Sequence, residues 1–443
     1  MRGLGRAQSA PAIRYTGTVQ ALSAENRRRL LDRVSQPDSE ISARTAEIIC
    51  DVRRRGDEAL RELGVRFDGV ELESLEVPAR ARRAALEKLA PSVRSAMERA
   101  VANIKCVHAS SLPTLIEVEP EPGVVIGRRP DALDRVGVYA PGGRAAYASS
   151  VLMGAVPARV AGVRDVVLCS PPDRTGAPAA VVLAAAELAE VDRVFAIGGA
   201  GSIAAMALGT ESVPRVDLIV GPGNAYVAEA KLQLVGSVAI DSPAGPSELL
   251  VIADATSSPA TVAAEMLAQA EHDPLACVVA VCVGREVAAR VIDCIDRRLP
   301  DTSSAQVVAR SLAGQGAVLT AESMDEAITF ANEYAPEHLL LAVADAELLL
   351  PRMRNAGTVM LGGAASVAFG DYMTGSNHVL PTGGLARSYS GLSVLDFIRW
   401  TSYQRVTNDA AARLADDTAT FALAEMLPGH ALAATRWRAS ECV

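Results

Sequence analysis

The sequence predicts an α/β protein: two parallel-sheet Rossmann-like domains, one inserted in the other, with a small helical C-terminal tail region. Three observations lead there. With 443 residues the chain is too long for one ordinary core, so two or more domains are expected. Apolar residues make up 50% but aromatics only 4%, with alanine and valine leading, which suits helices and buried parallel strands better than an aromatic-rich sandwich. Short valine-rich runs also alternate with alanine-rich helical stretches in two separate tracts, the pattern of βα units.

The opening segment, residues 1–14, carries arginines and no acidic residue, a transit-peptide trait, but it is short and the reading is a cytoplasmic protein. Amphipathic helices over 43–63 and 80–104 are expected to cover the second sheet. Strands are read at 136–140, 166–170, 193–197 and 216–220, separated by helices such as 179–189 and 225–234. Three strand ends run into glycine-rich turns: Pro141-Gly142-Gly143, Gly198-Gly199-Ala200-Gly201 and Gly221-Pro222-Gly223-Asn224. Such turns let backbone N–H groups approach a phosphate, and open parallel sheets bind nucleotides at their carboxyl ends. Gly199, Gly201 and Ala204 also fit a G-x-G-x-x-A fingerprint, weakly, because Asp217 precedes its strand instead of closing it. A second alternation gives strands at 249–253, 277–283, 317–320, 339–343 and 358–361, and the tail after 392 reads as helical. The division that results is a discontinuous α/β catalytic domain, 16–133 plus 247–391, an inserted nucleotide-type domain, 134–246, and a helical tail, 392–443.

Charge and cysteine usage exclude several classes. The net charge of -9, from 52 acidic and 43 basic residues without long single-sign runs, leaves no electrostatic footprint for nucleic acid. No apolar run reaches the ~20 residues of a membrane span, so no membrane partner is expected. Cys169, Cys277, Cys282 and Cys294 lie inside apolar stretches without zinc-ribbon spacing and read as reduced, packed thiols.

The chemistry is concentrated in histidines. Of five, four sit in short polar segments bounded by glycine or proline: His272, His338, His378 and His430. Imidazole is the commonest metal ligand and the commonest general base near neutral pH. Ser258-Pro259 opens a helix on which Gln269 and His272 share a face able to hold half of a metal site. Glu337-His338 follows Pro336 at the mouth of a strand. Neighbours on a strand face opposite ways, so both serve one site only if the backbone bends there. Asp371, in a glycine-bounded loop with His378 seven residues further on, offers a hard ligand. Neither H-E-x-x-H nor paired C-x-x-C is present.

Six ordered blocks resemble the histidinol dehydrogenase family. They are Tyr139-Ala140-Pro141-Gly142-Gly143, Gly221-Pro222-Gly223-Asn224-Ala225-Tyr226 continuing to Lys231, Pro243-Ala244-Gly245-Pro246-Ser247-Glu248, Gln269-Ala270-Glu271-His272-Asp273-Pro274, Tyr334-Ala335-Pro336-Glu337-His338, and Asn377-His378-Val379-Leu380-Pro381-Thr382. The similarity runs from about residue 16 to the C-terminus. It implies a four-electron oxidation of L-histidinol to L-histidine via histidinal, the last step of histidine biosynthesis, with two NAD in succession and one Zn2+ per site. It implies zinc on Gln269, His272, Asp371 and His430, the last from the partner of a homodimer with shared active sites. Glu337 and His338 match the family's proton acceptors, with His338 neutral at working pH. Ser247, His378 and Glu425 match substrate contacts, beside the zinc ligands and His338. Tyr139, Asn224 and the position of Gly201 match contacts with NAD in the inserted domain. The chain departs from the family pattern where Gly201 replaces a usual glutamine that touches the cofactor, and where Ala148 and Gly154 replace a usual proline and asparagine. These departures leave room for the alternative of a related zinc/NAD dehydrogenase acting on another primary alcohol.

Overall fold

The computed structural model describes residues 13–33, 38–142, 146–243 and 245–438. In chain order its strands are β1 (Tyr15–Thr18), β2 (Glu76–Val77), β3 (Ile116–Glu121), β4 (Val124–Ala132), β5 (Arg135–Tyr139), β6 (Asp165–Ser170), β7 (Arg193–Ala196) and β8 (Leu218–Val220). They continue with β9 (Ala239–Ile240), β10 (Glu248–Ala253), β11 (Cys277–Val283), β12 (Ala317–Ala321), β13 (His338–Ala342), β14 (Thr358–Leu361) and β15 (Ile398–Val406).

The first sheet runs β2-β7-β6-β5-β8-β9. All its pairs are parallel except the short edge strand β2 on β7. Counted from β5, the order is 3-2-1-4-5, so connections leave in opposite directions at β5 and β8 and open a crevice beyond their carboxyl ends. Tyr139 ends β5, and Gly221 follows β8 directly. The second sheet, β1-β12-β11-β10-β13-β14, is parallel throughout. Counted from β10 it repeats the order 3-2-1-4-5, with β1 added at the edge.

Both sheets are covered on both faces, which explains their near-continuous apolar strands. In β10, Leu249, Val251 and Ala253 enter one core with the helices Pro259–Ala270 and Arg285–Arg298, while Leu250 and Ile252 enter the opposite core with the helix Met324–Tyr334. The period of two along the strand makes that division.

Three sequence expectations are corrected here. The N-terminal helices pack on the first sheet's helices, not the second sheet: Ser39–Arg55 lies on Gly199–Leu208 and Ala225–Leu234, Ala79–Lys88 on Ala180–Leu188, and Pro91–Ala109 on Ala148–Ala161. An amphipathic stripe specifies that a face is buried but not against which partner. Each long helix is also broken, the first at Gly56 with φ 56°, the second before Pro91, which starts a new helix. Finally, the tail begins with a strand: β15 pairs antiparallel with β4, and β3 completes a three-stranded sheet. Gly127 of β4 is covered by the Tyr403 ring of β15, which any Cβ would meet. Beyond this strand the tail is helical, Asn408–Ala424 and Pro428–Thr435 packing on each other.

Candidate active site

The second sheet's switch point lies between β10 and β13, and its amino edge carries Glu248 and His338 as the first residues of those strands. Just before β13 the chain turns sharply. Ala335 adopts φ 52°, a left-handed conformation unusual for a residue with a side chain and disfavoured before proline. This bend lets neighbours in sequence serve one place: Glu337 Oε2 and His338 Nδ1 stand 3.5 Å apart, both residues buried. The Glu337 carboxylate accepts from the Glu248 backbone N–H at 2.6 Å. His338 Nδ1 lies 3.0 Å from the Glu248 carbonyl oxygen, which can only accept, so Nδ1 donates. In the neutral ring the basic nitrogen is then Nε2, and it faces Asp371 Oδ1 at 3.7 Å.

The electrostatics follow from this crowding. Burial pulls the His338 pKa down, but the charge of Glu337 and the bond to Asp371 outweigh it and raise it to about 10. With only protein groups around it, His338 is thus shifted towards its protonated form. Burial pushes Glu337 up against the opposing effect of His338. Asp371 is lowered: burial opposes, but its bond to His338 and the nearby His338, His378 and His272 prevail.

Asp371 lies in the short helix Val367–Tyr372. His378 donates from Nδ1 to the Asp371 carbonyl at 3.0 Å, and its Nε2 meets Ser150 Oγ at 3.3 Å. Ser150 belongs to the helix Ala148–Ala161 that follows β5, so the carboxyl edge of the first sheet meets the amino edge of the second at this contact. Ser247 is half-buried immediately before β10, its carbonyl accepting from Cys277.

The helix Pro259–Ala270 is capped by Ser258, whose side chain accepts from the Thr261 N–H, and at its other end it presents Gln269. Gln269 is 2% exposed and its Oε1 has no hydrogen-bond partner. A buried amide oxygen without a partner costs free energy unless something completes it. A cation held between this oxygen, His272 and Asp371 would do so, and the mixed nitrogen and oxygen donor set suits zinc. Among the described residues, no three His, Cys, Asp or Glu side chains are grouped to hold a metal. His430 and Glu425 lie exposed on the tail, and the structure does not bring them to this cluster.

At the first sheet, the Gly199 N–H donates to Tyr139 Oη at 3.1 Å across the strand ends, and burial pushes the Tyr139 hydroxyl up to about 12. Asn224 caps the helix Ala225–Leu234, accepting from the Tyr226 and Val227 N–H groups at the rim of the crevice. Gly143 lies outside the described residues. Gly201 lies inside the helix Gly199–Leu208, and a Cβ there would stand 2.9 Å from Leu63 Cδ1, the far end of a flexible side chain. A side chain at 201 therefore starts towards the packed helix Asp57–Leu63.

Sequence reasoning missed Ser150, Arg33 and the role of Glu248 as a hub. Glu248 lay within a recognised block, but its ion-pair partner Arg33 is 215 residues away, and no spacing signals such a pair.

A nucleotide-type sheet whose crevice meets buried proton acceptors and an uncompleted donor set is the layout of a metal-requiring, NAD-dependent dehydrogenase. Comparison with known proteins makes the class specific. The family described as histidinol dehydrogenase matches residues 31–438. The histidinol dehydrogenase of Halobacterium salinarum is 48% identical over 414 residues, 93% of this chain and 96% of the relative. That of Ralstonia nicotianae is 43% identical, covering 95% and 97%. The crystal structure of the Elizabethkingia anophelis enzyme superposes with a TM-score of 0.92 at 32% identity, over 97% of this chain and 99% of that one. The chain belongs to the histidinol dehydrogenase family. Its activity is the zinc- and NAD-dependent oxidation of L-histidinol to L-histidine via histidinal, in histidine biosynthesis.

Proposed function

We propose that both oxidations take place at the amino edge of the second sheet, with NAD reaching in from the carboxyl edge of the first. The observation that carries this reading is the cluster of Glu337, His338 and Asp371, together with the partnerless oxygen of Gln269 on a helix that packs against the helix of Asp371. Gln269, His272 and Asp371 would hold zinc together with His430 of the partner subunit. Zinc bound there supplies positive charge that orients the imidazole and amine nitrogens of histidinol.

His338 takes the alcohol proton on Nε2, the nitrogen left free by its bond to Glu248, as hydride leaves for NAD. Holding Asp371 in another interaction removes one of the two carboxylates that favour the protonated ring, which favours the basic form the step needs. Glu337, whose proton affinity burial has raised, accepts a proton from the water that adds to the aldehyde, and His338 serves again in the second oxidation. Ser247, His378 and Glu425 are assigned to substrate, and Tyr139 and Asn224 to NAD within residues 134–246.

We also read the enzyme as a homodimer in the cytoplasm. The tail helices pack on each other and leave Phe421, Met426 and Leu432 exposed by 71%, 85% and 65%, apolar surface that a partner would cover. The buried, packed thiols of Cys169 and Cys282 fit a reducing compartment. Among the described residues, no helix is long and apolar enough to cross a membrane.

The test is purified protein with zinc, NAD and a panel of amino alcohols, followed by NADH absorbance. Two NADH per L-histidinol, lost on chelation and restored by zinc, are expected. Preference for another alcohol, or one NADH per substrate, would contradict the reading.

A further inference from the structure

We propose that Arg33 is a positioning residue for Glu337 and His338, acting through Glu248. The proposal rests on the reading that those two residues carry the proton transfers.

Arg33 and Glu248 form a bidentate pair, Nε to Oε1 at 2.8 Å and Nη2 to Oε2 at 3.0 Å, with both side chains 2% exposed. Taking two charges so far out of water makes such a pair a poor source of stability, so its value is sought in geometry. Glu248 touches the two proton acceptors three times. Its N–H donates to the Glu337 carboxylate, its carbonyl accepts from His338 Nδ1, and its Oε2 accepts from the Glu337 N–H at 3.4 Å. Its Oε1 also accepts from the Gly383 N–H at 2.8 Å.

Arg33 grips the other end of the same turn. Nη2 donates to the Tyr334 carbonyl at 2.8 Å, and the guanidinium lies over the Tyr334 ring at 3.5 Å. Nη1 donates to the carbonyls of Leu30 and Leu31, anchoring the side chain to its own segment. The turn from Tyr334 to Glu337 is thus held directly at its start and through Glu248 at its end. Between the holds sits Ala335 at φ 52°, a conformation that persists only where its surroundings over-determine it. Arg33 supplies that constraint. A lysine cannot, because its single nitrogen cannot meet a carboxylate and a carbonyl in the same fork.

The experiment measures each half-reaction separately, from alcohol and from aldehyde, with zinc content and both KM values. Arg33→Lys is expected to lower kcat about 10- to 100-fold, the scale of a misplacement near 1 Å, with both KM values and zinc per chain unchanged. In a Glu337→Gln, His338→Asn background the same Arg33→Lys change should lower the residual rate by less than about twofold, since nothing is left to position. Equal losses in the two backgrounds would overturn the proposal. So would a loss confined to the folded, zinc-loaded fraction with the rate per loaded site intact. Arg33→Met combined with Glu248→Gln leaves no buried charge unpaired and must show the same selective loss, so a wild-type rate in that variant overturns the proposal even if Arg33→Lys misfolds. If the Glu337→Gln, His338→Asn enzyme itself kept the wild-type rate, the reading of those residues would fall instead.

Discussion

Counted from β5 and from β10, the two parallel sheets have the same strand order, yet the first gathers its glycine turns at carboxyl ends, whereas the second gathers Glu248, Glu337 and His338 at amino ends. Open sheets bind ligands beyond their carboxyl ends, which is where the first sheet's glycine turns lie and the second sheet's titratable cluster does not. The difference follows from what each edge is made of. The first crevice is built from backbone: Gly221 has φ 115°, and a Cβ there would collide with the Tyr139 carbonyl. Lys231, itself buried, donates to the Gly221 carbonyl at 2.5 Å and to Asp241 at 2.7 Å, while the Gly221 N–H donates to Asp241 at 2.8 Å. Among the described residues, these bonds close within one chain. The second edge is built from side chains delivered by β13 and by the helices Pro259–Ala270 and Val367–Tyr372, and one chain leaves the Gln269 oxygen without a partner.

The comparison can be broken first at His338. His338→Asn is expected to slow the first hydride transfer by ~10²- to 10⁴-fold while zinc stays bound, because its role is base and not ligand. Parallel loss of zinc, read by metal analysis, would place it among the ligands. Next, Glu337→Gln should slow the aldehyde half by ~10²-fold or more and the alcohol half by less. Equal losses in the two halves would remove the reason for giving it the water.

On the first edge, Gly221→Ala is expected to destabilise the fold by about 1–3 kcal/mol and to weaken NAD binding, with zinc and histidinol binding kept. Calorimetry against each ligand checks this, and equal weakening of histidinol would show that the edges are not separable. The smallest effect is expected at Gly201. Restoring the family's glutamine there should cost stability through Leu63 and leave NAD affinity nearly unchanged. A clear gain in NAD affinity would mean that the helix Asp57–Leu63 gives way and the side chain reaches the crevice.

What the sequence made legible divides along the same line. Valine-rich strands followed by glycine turns announce themselves locally, so four strands of the first sheet and five of the second could be read from residue type and spacing, whereas the short strands β1, β2 and β9 could not. Glu337, His338, Gln269 and His272 could be put forward because their motifs are short. The sheet of β3, β4 and β15 escaped because β15 pairs with a strand about 270 residues away, and alternation at 398–406 does not say with what. The destination of the N-terminal helices escaped because an apolar stripe carries no address. Arg33 escaped for both reasons. The direction of position 201, towards Leu63, depends on how a helix packs and has no local signal.

In the proposed function, the second edge is finished only by another chain, through the partner's His430. Mixing an inactive His338→Asn chain with an inactive His430→Ala chain gives hybrids in which one site carries both lesions and the other none. Activity should return on mixing, up to about half of a wild-type dimer per hybrid, as a closed two-fold exchange of tails requires. If subunit exchange is confirmed by mass and no activity returns, His430 acts within its own chain and the claim is wrong.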